Sequence, residues 1–100
     1  MKIILKEPFR ENIYVLMRRM GYHFQREDKE RKELVFTRPA RGFPRFHLFI
    51  KKNGNDLIFS LHLDQKRPIY KGTPAHAGEY NSKVVKEEVE RIREILKSLK

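Results

Sequence analysis

The feature that most constrains this chain is the tetrapeptide KNGN at residues 52–55, which lies between two runs of alternating apolar and polar residues. Asn-Gly between two such runs is the strongest short-range signal for a β-hairpin. It predicts one strand over Arg45–Lys51 and a second over Asp56–Asp64. With Asn53 and Gly54 as the two turn residues, the pairing register follows directly.

This register sorts the side chains of the hairpin onto two different faces. The pairs on the first face are all apolar, namely Phe46 with Leu61, Leu48 with Phe59 and Ile50 with Leu57. The pairs on the second face are Arg45 with His62, His47 with Ser60, Phe49 with Ile58 and Lys51 with Asp56, and Asp64 follows His62 on the same side. We therefore expect one face in the core and an open, basic and polar second face.

The remaining elements are predicted from hydrophobic spacing and from helix and turn signals. They are a short strand over Lys2–Lys6, a helix over Pro8–Met20 that stops at Gly21, strands over Tyr22–Glu27 and Glu33–Arg38 joined by DKERK, and a helix over Ser82–Lys100. Both helices carry an apolar stripe. The expected fold class is α+β: a two-layer sandwich of a mainly antiparallel sheet, with the N-terminal and C-terminal helices packed on one face.

Length and composition favour a single domain over residues 1–100, since 39% hydrophobic content in 100 residues supports one core. The chain has no cysteine, which excludes disulfides, thiolate metal sites and thiol nucleophiles. No segment reads as a signal peptide or approaches the roughly 18 apolar residues of a membrane span. We expect a cytoplasmic protein with no membrane partner.

Charge is the strongest compositional indication of function, because the formal net charge is +10. A field of this sign attracts polyanions, of which nucleic acid is the commonest. Two segments rich in Lys and Arg, 38–52 and 66–71, contain no acidic residue. The alternative is that a surface rich in Lys and Glu keeps a small protein soluble.

Binding of RNA is the function that these residues predict first. Cations would contact phosphates, and aromatic rings would stack on unpaired bases. The candidate contacts are Arg38, Arg41, Phe43, Arg45, Phe49, Lys51, Lys66, Arg67, Tyr70 and Lys71. One alternative is a toxin-like ribonuclease that needs no metal, with His47 and His62 as acid and base. Another is a protein-interaction subunit that covers the open face with an acidic partner or a second copy of itself.

The segment LHLDQKRPIYKGTPAHAGEY, residues 61–80, contains two histidines that each precede a carboxylate. His62, Asp64, His76 and Glu79 would be the ligands if a divalent metal were bound. His76 and Glu79 equally suit a structural role, as a hydrogen-bonded elbow before the last helix. We expect no metal and no other cofactor.

Two family resemblances come from these motifs and from the order of the elements. LHLDQK together with AHAGEY resembles a group of short uncharacterised bacterial proteins, over most of the chain from about Gly21 onward. The layout is also similar to HicA-type mRNA-interferase toxins, whose fold resembles a double-stranded-RNA-binding domain. In those toxins a histidine at the start of a sheet strand, usually after Gly-Ser, cleaves RNA. His47 is the matching residue here, although PRFH replaces that pattern.

Overall fold

A computed structural model describes residues 1–5, 12–64 and 82–98 of the chain. Its elements, in chain order, are β1 (Lys2–Leu5), α1 (Ile13–Arg19), β2 (His23–Asp28), β3 (Glu33–Arg38), β4 (Arg45–Asn53), β5 (Asp56–Asp64) and α2 (Lys83–Ser98). The strands form one five-stranded sheet in the order β1-β5-β4-β3-β2, and all four neighbouring pairs are antiparallel. The predicted α+β class is confirmed.

The β4–β5 hairpin is present, but its predicted register is wrong. Gly54 and Asn55 form the turn, Asn53 pairs with Asp56, and His47 therefore lies opposite His62 instead of Ser60. Gly54 has φ +64°, which suits glycine at the first central position of a type II′ hairpin turn. The shift moves each pair by two positions along β5, so every side chain keeps its predicted face.

The first face carries the core as predicted. Phe36, Leu48, Ile50, Phe59, Leu61 and Leu63 are buried on it, and Ile3 of β1 joins them. One cluster of buried side chains connects these residues with Leu16, Met17 and Met20 near α1 and with Val85, Val89, Ile92 and Leu96 of α2. We call this side of the sheet the core face.

The helix ends follow ordinary capping chemistry. Asn12 is the N-cap of α1, and its side-chain oxygen accepts hydrogen bonds from the amides of Tyr14 and Val15 at 2.9 and 3.3 Å. At the other end, Gly21 has φ +91° and the amide of Tyr22 donates to the carbonyl of Met17, as in a Schellman motif. Within the described residues α1 begins at Ile13; the predicted start at Pro8 lies outside them.

A buried carboxylate ties α2 to the sheet. The side chain of Glu88 is only 3% exposed and accepts a hydrogen bond of 2.6 Å from the Tyr22 hydroxyl. Arg38 of β3 donates to both Glu88 oxygens at 3.2 and 3.1 Å, and Arg91 donates at 2.7 and 2.9 Å. Arg91 also donates to the carbonyl of Met20, so one network joins α2, β3 and the end of α1.

No helix in the described ranges is long and apolar enough to cross a lipid bilayer.

Candidate functional site

The other side of the sheet carries the polar cluster that the sequence predicts, and we call it the histidine face. His47 of β4 and His62 of β5 are direct cross-strand partners at the centre of the sheet. Asp64 follows two residues after His62, so its side chain lies on the same face. Residues opposite each other or two apart on one face are within side-chain reach. The strands alone therefore bring the three groups together.

Asp64 lies between the two imidazoles. Its Oδ2 is 3.0 Å from His47 Nδ1, and its Oδ1 is 3.0 Å from His62 Nε2. Arg45 Nε is 3.5 Å from Oδ2, at the outer limit of a hydrogen bond. Each carboxylate oxygen thus faces one imidazole nitrogen, and the arginine contributes a weaker contact from the side.

The ring of Phe49 packs against both imidazoles of this cluster. The rings of His47 and Phe49 stack with centroids 4.6 Å apart, and those of Phe49 and His62 stack at 5.4 Å. The side chains of His47, His62 and Asp64 are only 14%, 11% and 17% exposed. The centre of the histidine face is therefore less open than the sequence predicts.

Two further residues of the histidine face are fully buried. Val35 and Thr37 of β3 are 0% and 1% exposed and lie opposite Phe49 and His47. The Thr37 hydroxyl accepts a hydrogen bond of 2.7 Å from the side chain of Gln25, the residue at the β-bulge of β2. The histidine face is thus fully buried where β3 lies beside β4.

Burial lowers the pKa of both imidazoles, and this effect outweighs the negative charge of Asp64, which raises them. Both rings are therefore neutral at neutral pH, and each has one protonated and one unprotonated nitrogen. His47 Nε2 is buried and has no hydrogen-bond partner in the described part of the chain. A buried unpaired nitrogen is costly, and sites that tolerate one often have a function beyond folding.

The cluster of His47, His62 and Asp64 has the groups for two kinds of chemistry, acid–base catalysis and metal binding. Acid–base catalysis by two histidines uses one neutral and one protonated ring. Burial lowers the pKa of both His47 and His62, so the direction of the shift does not assign the acid and the base. Their role as an acid–base pair stays a prediction. One donor atom from each of His47, His62 and Asp64 lies within 4.8 Å of the other two, and these are atom types that divalent metals bind.

Among the described candidate contacts to nucleic acid, four are accessible to a ligand, and the other two are engaged in contacts within the domain. The guanidinium of Arg45 lies over the ring of Phe43 at 4.7 Å, and Phe43 is 36% exposed. Arg41 is exposed in the connection before β4, and Lys51 is exposed near the turn of the hairpin. These positions can reach a ligand. Phe49 is half-buried and stacks on the rings of both His47 and His62.

Arg38 lies elsewhere. It points away from the histidine face, pairs with Glu88 of α2 and contacts the ring of Phe46. Six candidate residues fall in 65–81, outside the described residues. Four are nucleic-acid candidates, Lys66, Arg67, Tyr70 and Lys71, and two are candidate metal ligands, His76 and Glu79.

Sequence reasoning missed His47 as a member of the possible metal-binding group. The predicted register placed it opposite Ser60, whereas the structure places it opposite His62. The signal that could have found it is Gly54, because Gly-Asn is also an accepted two-residue turn and makes this pairing.

Comparison with protein-family models, with curated proteins and with solved structures found no match to this chain.

Proposed function

We propose that this domain binds RNA, with Arg45 at the end of the histidine face and the adjoining connection that carries Arg41 and Phe43 as part of the contact surface. The observation that carries the proposal is the net charge of +10 on 100 residues. A protein of this charge gains affinity for polyanions from the release of condensed counterions.

The local geometry suits an unpaired strand of RNA. Phe43 keeps one third of its surface exposed while the Arg45 guanidinium lies against its ring, so a planar cation and an aromatic ring are side by side. Both groups stack on bases, and the guanidinium also contacts phosphates. Arg41, two residues before Phe43, is exposed and extends the positive surface.

A titration of fluorescently labelled single-stranded RNA at about 50 and 200 mM salt tests the proposal. Replacing both Arg41 and Arg45 by Ala should weaken binding and reduce the slope of log affinity against log salt by about 0.7 for each lost phosphate contact. Replacing Lys83 and Lys97 by Ala is the matched control, since both are exposed lysines of α2. Phe43→Ala should cost about 1–3 kcal/mol of binding free energy through lost stacking.

Two results would refute the proposal. The first is an absence of RNA binding by the unmodified protein at the lower salt concentration. The second is an affinity that does not change with salt, because the electrostatic term is then missing. Gels of the same mixtures would show whether RNA is cleaved, and loss of cleavage in His47→Ala and His62→Ala would support the acid–base alternative.

A further inference from the structure

The cluster of His47, His62 and Asp64 lies outside the hydrophobic core. It packs against the ring of Phe49 on the histidine face, whereas the core lies on the opposite face. A buried polar cluster contributes less to stability than apolar side chains of the same size. Among the described residues, Arg45 is the permanently charged side chain that contacts Asp64, and its Nε is 3.5 Å from the carboxylate. The carboxylate is thus only weakly compensated by charge.

Two distances in the cluster match those between neighbouring ligands of one metal ion. Bonds of about 2.0–2.1 Å from a metal to nitrogen or oxygen place neighbouring ligand atoms about 3.0–3.4 Å apart, depending on the coordination geometry. Asp64 Oδ2 and His47 Nδ1 are 3.0 Å apart, as are Asp64 Oδ1 and His62 Nε2. All three donors lie within 4.8 Å of one another, and binding of one ion would bring every pair to within about 4.2 Å, which is twice the bond length.

We propose that His47, His62 and Asp64 bind one divalent first-row transition metal ion of the Zn²⁺ class. Two imidazoles and one carboxylate are the donor set that such ions prefer, whereas Mg²⁺ and Ca²⁺ favour sites made of oxygen atoms alone. Both imidazoles come from the central strands of the sheet, so the ligands are positioned before any metal arrives.

Three protein ligands leave at least one coordination position for another group. In zinc proteins an open position of this kind holds a water molecule or a substrate. The nearby pair of Arg45 and Phe43 would place an anionic or aromatic ligand beside the metal. Metal binding by this cluster is independent of RNA binding, and it is measured in the absence of RNA.

The experiment uses the full chain without an affinity tag, stripped of metal by dialysis against a chelator. Zn²⁺ is titrated in competition with a chromophoric chelator, and Co²⁺ is added to a second sample to record its visible absorption. We expect one tight equivalent of Zn²⁺ and a Co²⁺ spectrum typical of nitrogen and oxygen ligands. The thermal unfolding midpoint should rise with Zn²⁺, since a ligand that binds only the folded state stabilises it.

Asp64→Asn and His62→Gln test the assignment of the ligands. Each should weaken Zn²⁺ binding more than about 10-fold, which is the lower bound for outer-shell partners of metal sites. His23→Gln is the matched control, because His23 is exposed on the edge strand β2 and should leave the affinity unchanged. Circular dichroism of every variant separates loss of a ligand from loss of folding.

Three outcomes would overturn the proposal. One is an absence of any tight equivalent of Zn²⁺ in the folded, unmodified protein. Another is unchanged affinity in folded Asp64→Asn and His62→Gln, which would place the ion elsewhere. The last is an equal loss of affinity in His23→Gln, which would indicate weak binding to surface histidines.

Discussion

Replacing Glu88 by Gln removes a buried negative charge that two guanidinium groups and one phenol share. Removing one partner of a buried ion pair costs about 3–5 kcal/mol of unfolding free energy, because the other charge is left without compensation. The side chains of Arg38 and Arg91 are 37% and 36% exposed, so water can solvate both in part. We therefore expect a loss near the lower end of that range, about 3 kcal/mol.

Urea unfolding at pH 7, followed by far-ultraviolet circular dichroism, measures this loss. Glu90→Gln is the matched control: Glu90 lies on the same helix and pairs with Arg93 at 2.9 Å, but its side chain is 62% exposed. Exposed pairs contribute little, and the control should lose less than about 0.5 kcal/mol. Two variants that differ by less than about 1 kcal/mol would refute the reasoning, since burial would then not matter.

The pH dependence of the same variant gives a second check. Burial alone would raise the pKa of the Glu88 carboxyl, but the hydrogen bonds from Arg91 and Tyr22 and the charges of Arg38 and Arg91 hold it below its usual value of 4.5. A carboxyl with a lowered pKa in the folded state stabilises the protein above its unfolded pKa, and this contribution is lost as pH falls through the folded value. The advantage of the unmodified protein over Glu88→Gln should therefore be complete at pH 7 and should shrink below about pH 4.5. A constant difference down to pH 3 would contradict this account.

Three further substitutions test the fold, each by urea unfolding. Asn12→Ala removes the N-cap of α1 and should cost about 1 kcal/mol, whereas Asn12→Ser should retain most of the stability. Leu48→Ala opens a cavity at a fully buried position of the core face and should cost about 2–5 kcal/mol; a loss below about 1 kcal/mol would mean that this core can collapse around the gap. Gly54→Ala places a side chain at φ +64° with no neighbouring atom within 4 Å, so its cost of about 1–2 kcal/mol comes from the backbone alone, and Gly54→Asn should be milder.

Much of the fold could be predicted because side chains on a strand alternate with a period of two. Leu48 and Ile50 face the core and His47 and Phe49 face the other side in either of the two registers that KNGN allows. The alternation therefore predicted the faces correctly, and it could not choose between the registers. That choice depends on which residues adopt the turn conformation, and Asn-Gly and Gly-Asn both occur in tight hairpins.

The candidate site could also be predicted only in part. The sequence brought His62 and Asp64 to one face and placed Arg45 and His47 nearby, but the direct contact between His47 and Asp64 required the correct register. Arg38 shows a second limit of prediction from the sequence. An arginine in a basic segment looks available for phosphate, whereas its actual partner is Glu88, fifty positions later in the sequence. Such a long-range pair leaves no local pattern to read.

The strand order has a consequence for how the chain reaches its folded state. β2, β3, β4 and β5 follow one another as a meander, and each pairs with the next through a short connection. β1 instead pairs with β5, Ile3 opposite Phe59, across more than half of the chain. Long loops are entropically costly to close and long-range contacts form late, so the meander should assemble before β1 docks. β1 is also an edge strand of four residues, and its amides should exchange with solvent deuterium sooner than those of β4.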